Sequence, residues 1–117
     1  MQAMRPMLAA ALPAAIPVIA QADGVTGNVI MKYCTAKGGD AMSLCLGYVR
    51  ATADAMTFWT ETVGKGEFVR TCLSNAVTTE QLRHVGVRYI QSDPKDRHLD
   101  ATSLLSRAFM EAWPCSE

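Results

Sequence analysis

Apolar positions in this chain recur every three or four residues in separate stretches, and no segment alternates apolar with polar over the length of a strand. The longest stretch, about Ser43 to Val63, is the most informative. At 100° per residue, Arg50, Asp54, Thr57 and Glu61 fall on one narrow strip of a helix, while Leu44, Cys45, Tyr48, Val49, Ala51, Ala55, Met56, Phe58 and Trp59 occupy most of the remaining circumference. A helix apolar around most of its girth is a central one, so this element is expected to form the core. Upstream, Gly24 to Cys34 reads as a short first helix with Thr26 or Asn28 as N-cap. Paired glycines in Thr35–Asp40 stop it and reverse the chain.

Downstream, Gly64-Lys65-Gly66-Glu67 breaks the second helix, and Phe68 to Asn75 is an irregular connector. Thr78 and Gln81 form a capping box, which predicts a third helix from about Thr79 to Ser92 with Leu82, Val85, Gly86, Tyr89 and Ile90 inward. Asp93-Pro94 ends it, because the residue before proline avoids the helical region. A fourth helix, about Leu99 to Ala112, turns Ala101, Leu104, Leu105, Ala108, Phe109 and Ala112 to one side and Asp100, Ser103, Ser106, Arg107 and Glu111 to the other. The expected fold is all-α: a small four-helix domain with a central apolar second helix.

The N-terminus follows a different pattern. Met1 to Pro6 carries one basic residue, Arg5; Met7 to Ala20 is apolar; Ala20-Gln21-Ala22 is a small-x-small cleavage site. The run falls short of the roughly 20 apolar residues that span a bilayer, and Pro13 and Pro17 interrupt it. Residues 1–22 therefore read as a cleavable leader, with a membrane-anchoring helix as the alternative. Its removal leaves 95 of the 117 residues, 23–117, as one domain, of a size at which covalent staples matter. Eleven basic residues balance eleven acidic ones without a block of either sign, so no nucleic acid and no anionic membrane surface is implied.

Export gives the four cysteines their meaning, because an oxidising compartment pairs them. Cys34, Cys45, Cys72 and Cys115 contain no Cys-x-x-Cys and no adjacent histidine pair, which argues against zinc. Among the three possible pairings the helix layout favours Cys34–Cys45 across the first hairpin and Cys72–Cys115 across the ends of the last two helices. Chain entropy puts these at about 3 and about 4 kcal/mol. His84 lies on the polar face of the third helix between Arg83 and Arg88, and His98 lies at the start of the fourth, where it can orient the turn. Neither has a nucleophile at a catalytic spacing, and Asp54 with Glu61 is a charged surface pair rather than an acid–base dyad. No enzyme, no metal and no cofactor is expected.

Several segments together resemble a known family. Cys45-Leu46-Gly47-Tyr48-Val49 followed by Asp54, Val77-Thr78-Thr79-Glu80-Gln81-Leu82, Asp93-Pro94, Arg97-His98, Ala108-Phe109 and Trp113-Pro114-Cys115 occur in the order found in the Rap/Tai immunity proteins of bacterial type VI secretion systems. The resemblance covers about Asn28 to Cys115. It departs at Ala51, commonly glycine, at Leu73-Ser74-Asn75, where a proline is usual, and at Trp113, usually phenylalanine. The resemblance implies a periplasmic helical protein, often a homodimer, that neutralises a secreted peptidoglycan amidase of papain-like type. It would act by filling the cleft, without chemistry of its own. Ser92–His98 is the polar, proline-bounded element suited to that role, with Asp93, Lys95, Asp96, Arg97 and His98 as the partner-binding residues. The competing class is a periplasmic chaperone-like or cell-envelope helper protein.

Overall fold

Residues 24–62 and 70–116 are described by the structure, a computed structural model. The expected leader, residues 1–22, and the expected break at Gly64–Glu67 lie outside the described residues. Four helices follow in order: α1 (Gly27–Cys34), α2 (Gly39–Thr62), α3 (Thr79–Gln91) and α4 (Ala101–Ala112), with a single 3₁₀ turn, Pro94–Asp96, between the last two. The fold is the all-α arrangement read from the pattern.

Local chemistry explains each start. Thr26 caps α1 by accepting a hydrogen bond from Val29 N. Gly38 and Gly39 have φ of 91° and 76°, the left-handed region that glycine enters without strain. The chain reverses over these two residues, so α2 begins at Gly39 rather than at the expected Ser43. Asp40 thereby falls in its first turn, where the helix dipole favours a carboxylate. The capping box of α3 is present in full: Thr78 Oγ1 accepts from Gln81 N at 3.1 Å and Gln81 Oε1 from Thr78 N at 2.7 Å. The fourth helix starts two residues later than expected and is capped by Asp100, whose carboxylate accepts from Thr102 N and Ser103 N. His98, expected at the start of this helix, instead lies before the cap and is exposed.

The core joins all four helices through Ile30, Val49, Leu82, Ile90, Leu104, Leu105 and Phe109. Two glycines permit the approach. A Cβ on Gly27 would meet Leu104 Cδ1 at 2.6 Å and Arg97 O at 2.8 Å, and one on Gly86 would meet Leu105 Cδ2 at 2.6 Å. Ser106, expected on the outer side of α4, is buried. The second helix packs against α1, α3 and α4, as a central helix should. It does so with one stripe only: Cys45, Val49, Thr52, Ala53 and Met56. Tyr48, half-buried, adds a hydrogen bond with Thr102 of α4 at 2.8 Å, whereas Leu44, Ala51, Ala55, Phe58 and Trp59 are exposed, so the described residues cover only part of its apolar girth. Three neighbours all lying on one side of α2 cannot cover its whole circumference.

Both bridges of the layout form. Cys34–Cys45 closes the α1–α2 hairpin, and Cys72–Cys115 ties the connector before α3 to the end of α4. Beside the second bridge, Cys72 N donates to Trp113 O at 2.9 Å. Thr71 Oγ1, buried, lies 3.0 Å from Trp113 O and 3.1 Å from Phe109 O and donates to either. Carbonyls left over at the α4 C-terminus are thus satisfied from the connector.

Candidate functional site

The segment between α3 and α4 is held from both sides. At its start Ser92 N donates to Arg88 O at 3.0 Å and Ser92 Oγ to Tyr89 O at 2.7 Å, closing α3. Proline at position 94 then sets the 3₁₀ turn, and Leu99 N donates to Asp96 O at 2.9 Å. At its end the backbone runs against the segment preceding α1. Asn28 N donates to Arg97 O and Gly27 N to Leu99 O, both at 2.9 Å, and Ala101 N donates to Val25 O at 2.7 Å. Thr26 and Asp100 form an isolated antiparallel bridge there. A connector bonded along its length to three elements is pre-ordered, and ordering it costs a partner little.

The five side chains expected to bind a partner separate into two groups. Lys95, 80% exposed, sits 3.8 Å from both Asp93 and Asp96, and Arg107 reaches Asp96 at 3.9 Å. Asp93 and Asp96 are half-buried, whereas Lys95 and His98 are exposed. Arg97 points the other way. Its Nε donates to Ile90 O at 3.1 Å and its Nη2 to Gln91 O at 2.8 Å, capping the C-terminus of α3 with a cation where the helix dipole favours one. Sequence spacing places Arg97 in the connector but carries no sign that its guanidinium turns inward. Beside the connector lies an open groove of about 550 Å³, lined by Val85, Arg88, Tyr89, Ser92, Ala108 and Glu111 among others. Periodicity gave no hint of it, because its walls come from two different helices, α3 and α4.

The other polar face is also organised rather than merely solvated. Arg83 donates through Nη1 to Cys34 O at 2.9 Å, tying α3 to the end of α1, and pairs with Glu80. The hydrogen bond from Arg83 holds the Glu80 carboxyl below its ordinary range, with the nearby charges of Arg83 and His84 adding to it. The same bond raises the Arg83 guanidinium. His84 Nε2 lies 3.4 Å from Glu80 on this exposed surface. Among the described residues, no three His, Cys, Asp or Glu side chains converge as a metal site would require.

A family model of Rap1a immunity proteins matches residues 26–115. The chain belongs to the Rap1a immunity protein family. The match begins at the Thr26 cap and ends at Cys115, so it takes in every helix and both bridges. Membership of an immunity family implies that the chain binds a cognate effector protein. No curated protein and no solved structure matches the chain.

Proposed function

We propose that this member of the Rap1a family is a periplasmic immunity protein that binds a secreted peptidoglycan amidase of type VI secretion and blocks its cleft without catalysis. The family match over residues 26–115 carries the reading. Two bridges support export, because such staples persist in an oxidising compartment. Also in keeping with export, no helix among the described residues is long and apolar enough to cross a membrane. The expected leader supplies the route: cleavage after Ala22 leaves Asp23 as the first residue, which the intact mass of periplasmic material tests.

Within this reading the Ser92–His98 connector is the inhibitory element, and Lys95 and His98 are the side chains that meet the effector. The adjoining groove between Arg88 and Glu111 accepts a projection of the partner. A pre-ordered, charged turn enters a polar cleft with small entropic cost, and its charges set orientation and partner choice. The test is periplasmic co-expression with the product of the neighbouring gene, assayed for peptidoglycan amidase activity. Protection from lysis, with stoichiometric binding and no hydrolysis by the immunity protein itself, is the expected outcome. Lysis despite its presence rejects the proposal.

A further inference from the structure

Charged side chains in the α3–α4 half are engaged almost throughout. Arg83 holds Glu80, Lys95 lies against Asp93 and Asp96, and Arg107 reaches Asp96. Arg97 bonds the last carbonyls of α3, and Asp100 the first amides of α4. Among the described residues of this half, two charges form no ion pair and no side-chain hydrogen bond: Arg88 of α3 and Glu111 of α4. Both are exposed, and both line the same open groove of about 550 Å³. Local sequence explains why each stays free. Neighbours three and four residues away are the ordinary partners of a charge on a helix. Arg88 has His84, Val85, Gln91 and Ser92 there, none a carboxylate. Glu111 has Arg107 four residues before it, but that guanidinium is turned to Asp96. The connector thus takes the cation that would otherwise neutralise the α4 wall of the groove.

Apolar and aromatic groups make up much of the remaining lining. Val85 and Tyr89 are half-buried, Ala108 is buried and Ala112 is exposed. The volume lies within the ~300–1,000 Å³ of ligand clefts, and tyrosine gives such a site a large apolar contact with a polar tip. A lining of one sign would accept any counter-charged segment. Opposite signs on two helices ask for a carboxylate at α3 and a cation at α4 together, which fixes the direction in which a segment lies. Arg88 suits a carboxylate in particular, because its planar fork donates two parallel hydrogen bonds.

We propose that the α3–α4 groove seats a segment of the effector in one direction, with an acidic side chain on Arg88, a basic one on Glu111 and apolar contact with Tyr89 between them. This rests on the reading of the chain as an immunity protein and adds the chemistry and orientation of what it receives. The connector and the groove then act in opposite senses: Lys95 and His98 project toward the partner, and the groove accepts a projection from it. Charge matching at a rim governs encounter and partner choice more than raw affinity. Each contact is modest alone, and the two together are selective.

Titration calorimetry of the periplasmic protein with the product of the neighbouring gene, whose amidase activity is assayed in parallel, tests this. Arg88→Glu and Glu111→Lys should each weaken binding about tenfold or more, since like charges then meet. Their melting curves should not move, because both positions are exposed. The double variant Arg88→Glu/Glu111→Lys should bind at least as weakly as either single one, because both groups of the segment then face their own sign. Ala112→Trp, which fills the groove without changing charge, should weaken binding as well. Recovery of binding in the double variant overturns the proposal, since the two side chains would then act on each other rather than on a partner. Binding indifferent to all of these substitutions overturns it and leaves immunity standing. A wild-type protein that neither binds nor protects overturns the immunity reading itself, and this inference with it.

Discussion

The α1–α2 half and the α3–α4 half of this molecule leave opposite things unfinished. In the second half, the polar connector Ser92–His98 is exposed, yet its charges pair with one another and its arginine is turned back onto α3. In the first half, α2 carries an outward apolar stripe that no other described residue covers. The bridges differ in the same sense. Cys34 and Cys45 are buried in the core, whereas Cys72 is exposed and Cys115 only half-buried. Polar groups in a small domain are satisfied locally, by caps and neighbouring carbonyls, because an unmet group is costly. Apolar surface has no such local remedy and must wait for a partner. A surface available for binding is therefore recognised by what the chain leaves uncovered, not by how many charges it displays.

Removing the bridges separates the halves most strongly. Chain entropy assigns about 4 kcal/mol to Cys72–Cys115, which closes a separation of 43 residues, and about 3 kcal/mol to Cys34–Cys45, which closes 11. Urea unfolding of Cys72→Ala/Cys115→Ala and of Cys34→Ala/Cys45→Ala should give costs in that order. If the order inverts, core packing around the buried Cys34 and Cys45 outweighs loop closure, and the two halves are stabilised by different physics.

Within the connector, Arg97→Ala should destabilise by about 2 kcal/mol, since two charge-assisted bonds to the end of α3 are lost. Lys95→Glu should change stability by less than about 0.5 kcal/mol, as exposed substitutions usually do, while weakening effector binding. Thermal unfolding and titration calorimetry read the two effects apart. If Lys95→Glu leaves affinity intact, the effector contact moves off the connector, to the strip of Arg50, Asp54, Thr57 and Glu61 or to the face of Arg83, His84 and Arg88.

The smallest effect concerns Glu80 and Arg83, which fasten α3 to the end of α1. The Glu80 carboxyl is held lower in the folded protein than in the unfolded chain. Its contribution is therefore full above the unfolded pKa and is lost as pH falls through the folded value. Glu80→Gln should lower neutral stability slightly, because Glu80 is exposed, leave acid stability unchanged, and so flatten the acid limb of the stability curve. An acid limb that keeps its slope would show that other carboxylates set it.

Much of the fold is legible in the sequence because its signals are local. A capping box, paired glycines and Asp93-Pro94 act within one turn of the chain. They placed the boundaries of α3 to within a residue, and the helix layout they imply was enough to pair the cysteines. Start sites were less legible. At α2 two glycines in the left-handed region moved the boundary, and at α4 the Asp100 cap set the start two residues after the expected Leu99.

What the sequence by itself determined, then, was four helices, the inward positions Leu82, Gly86 and Ile90 of α3, and the two staples, all set by forces acting within a few residues or by chain connectivity. Only the tertiary structure decided which part of α2's apolar girth is covered, that Ser106 is buried, and that Arg97 turns inward to close α3. Periodicity reports how apolar each direction around a helix is. Which of those directions meets a neighbour depends on how the other helices pack, and that is a property of the whole domain.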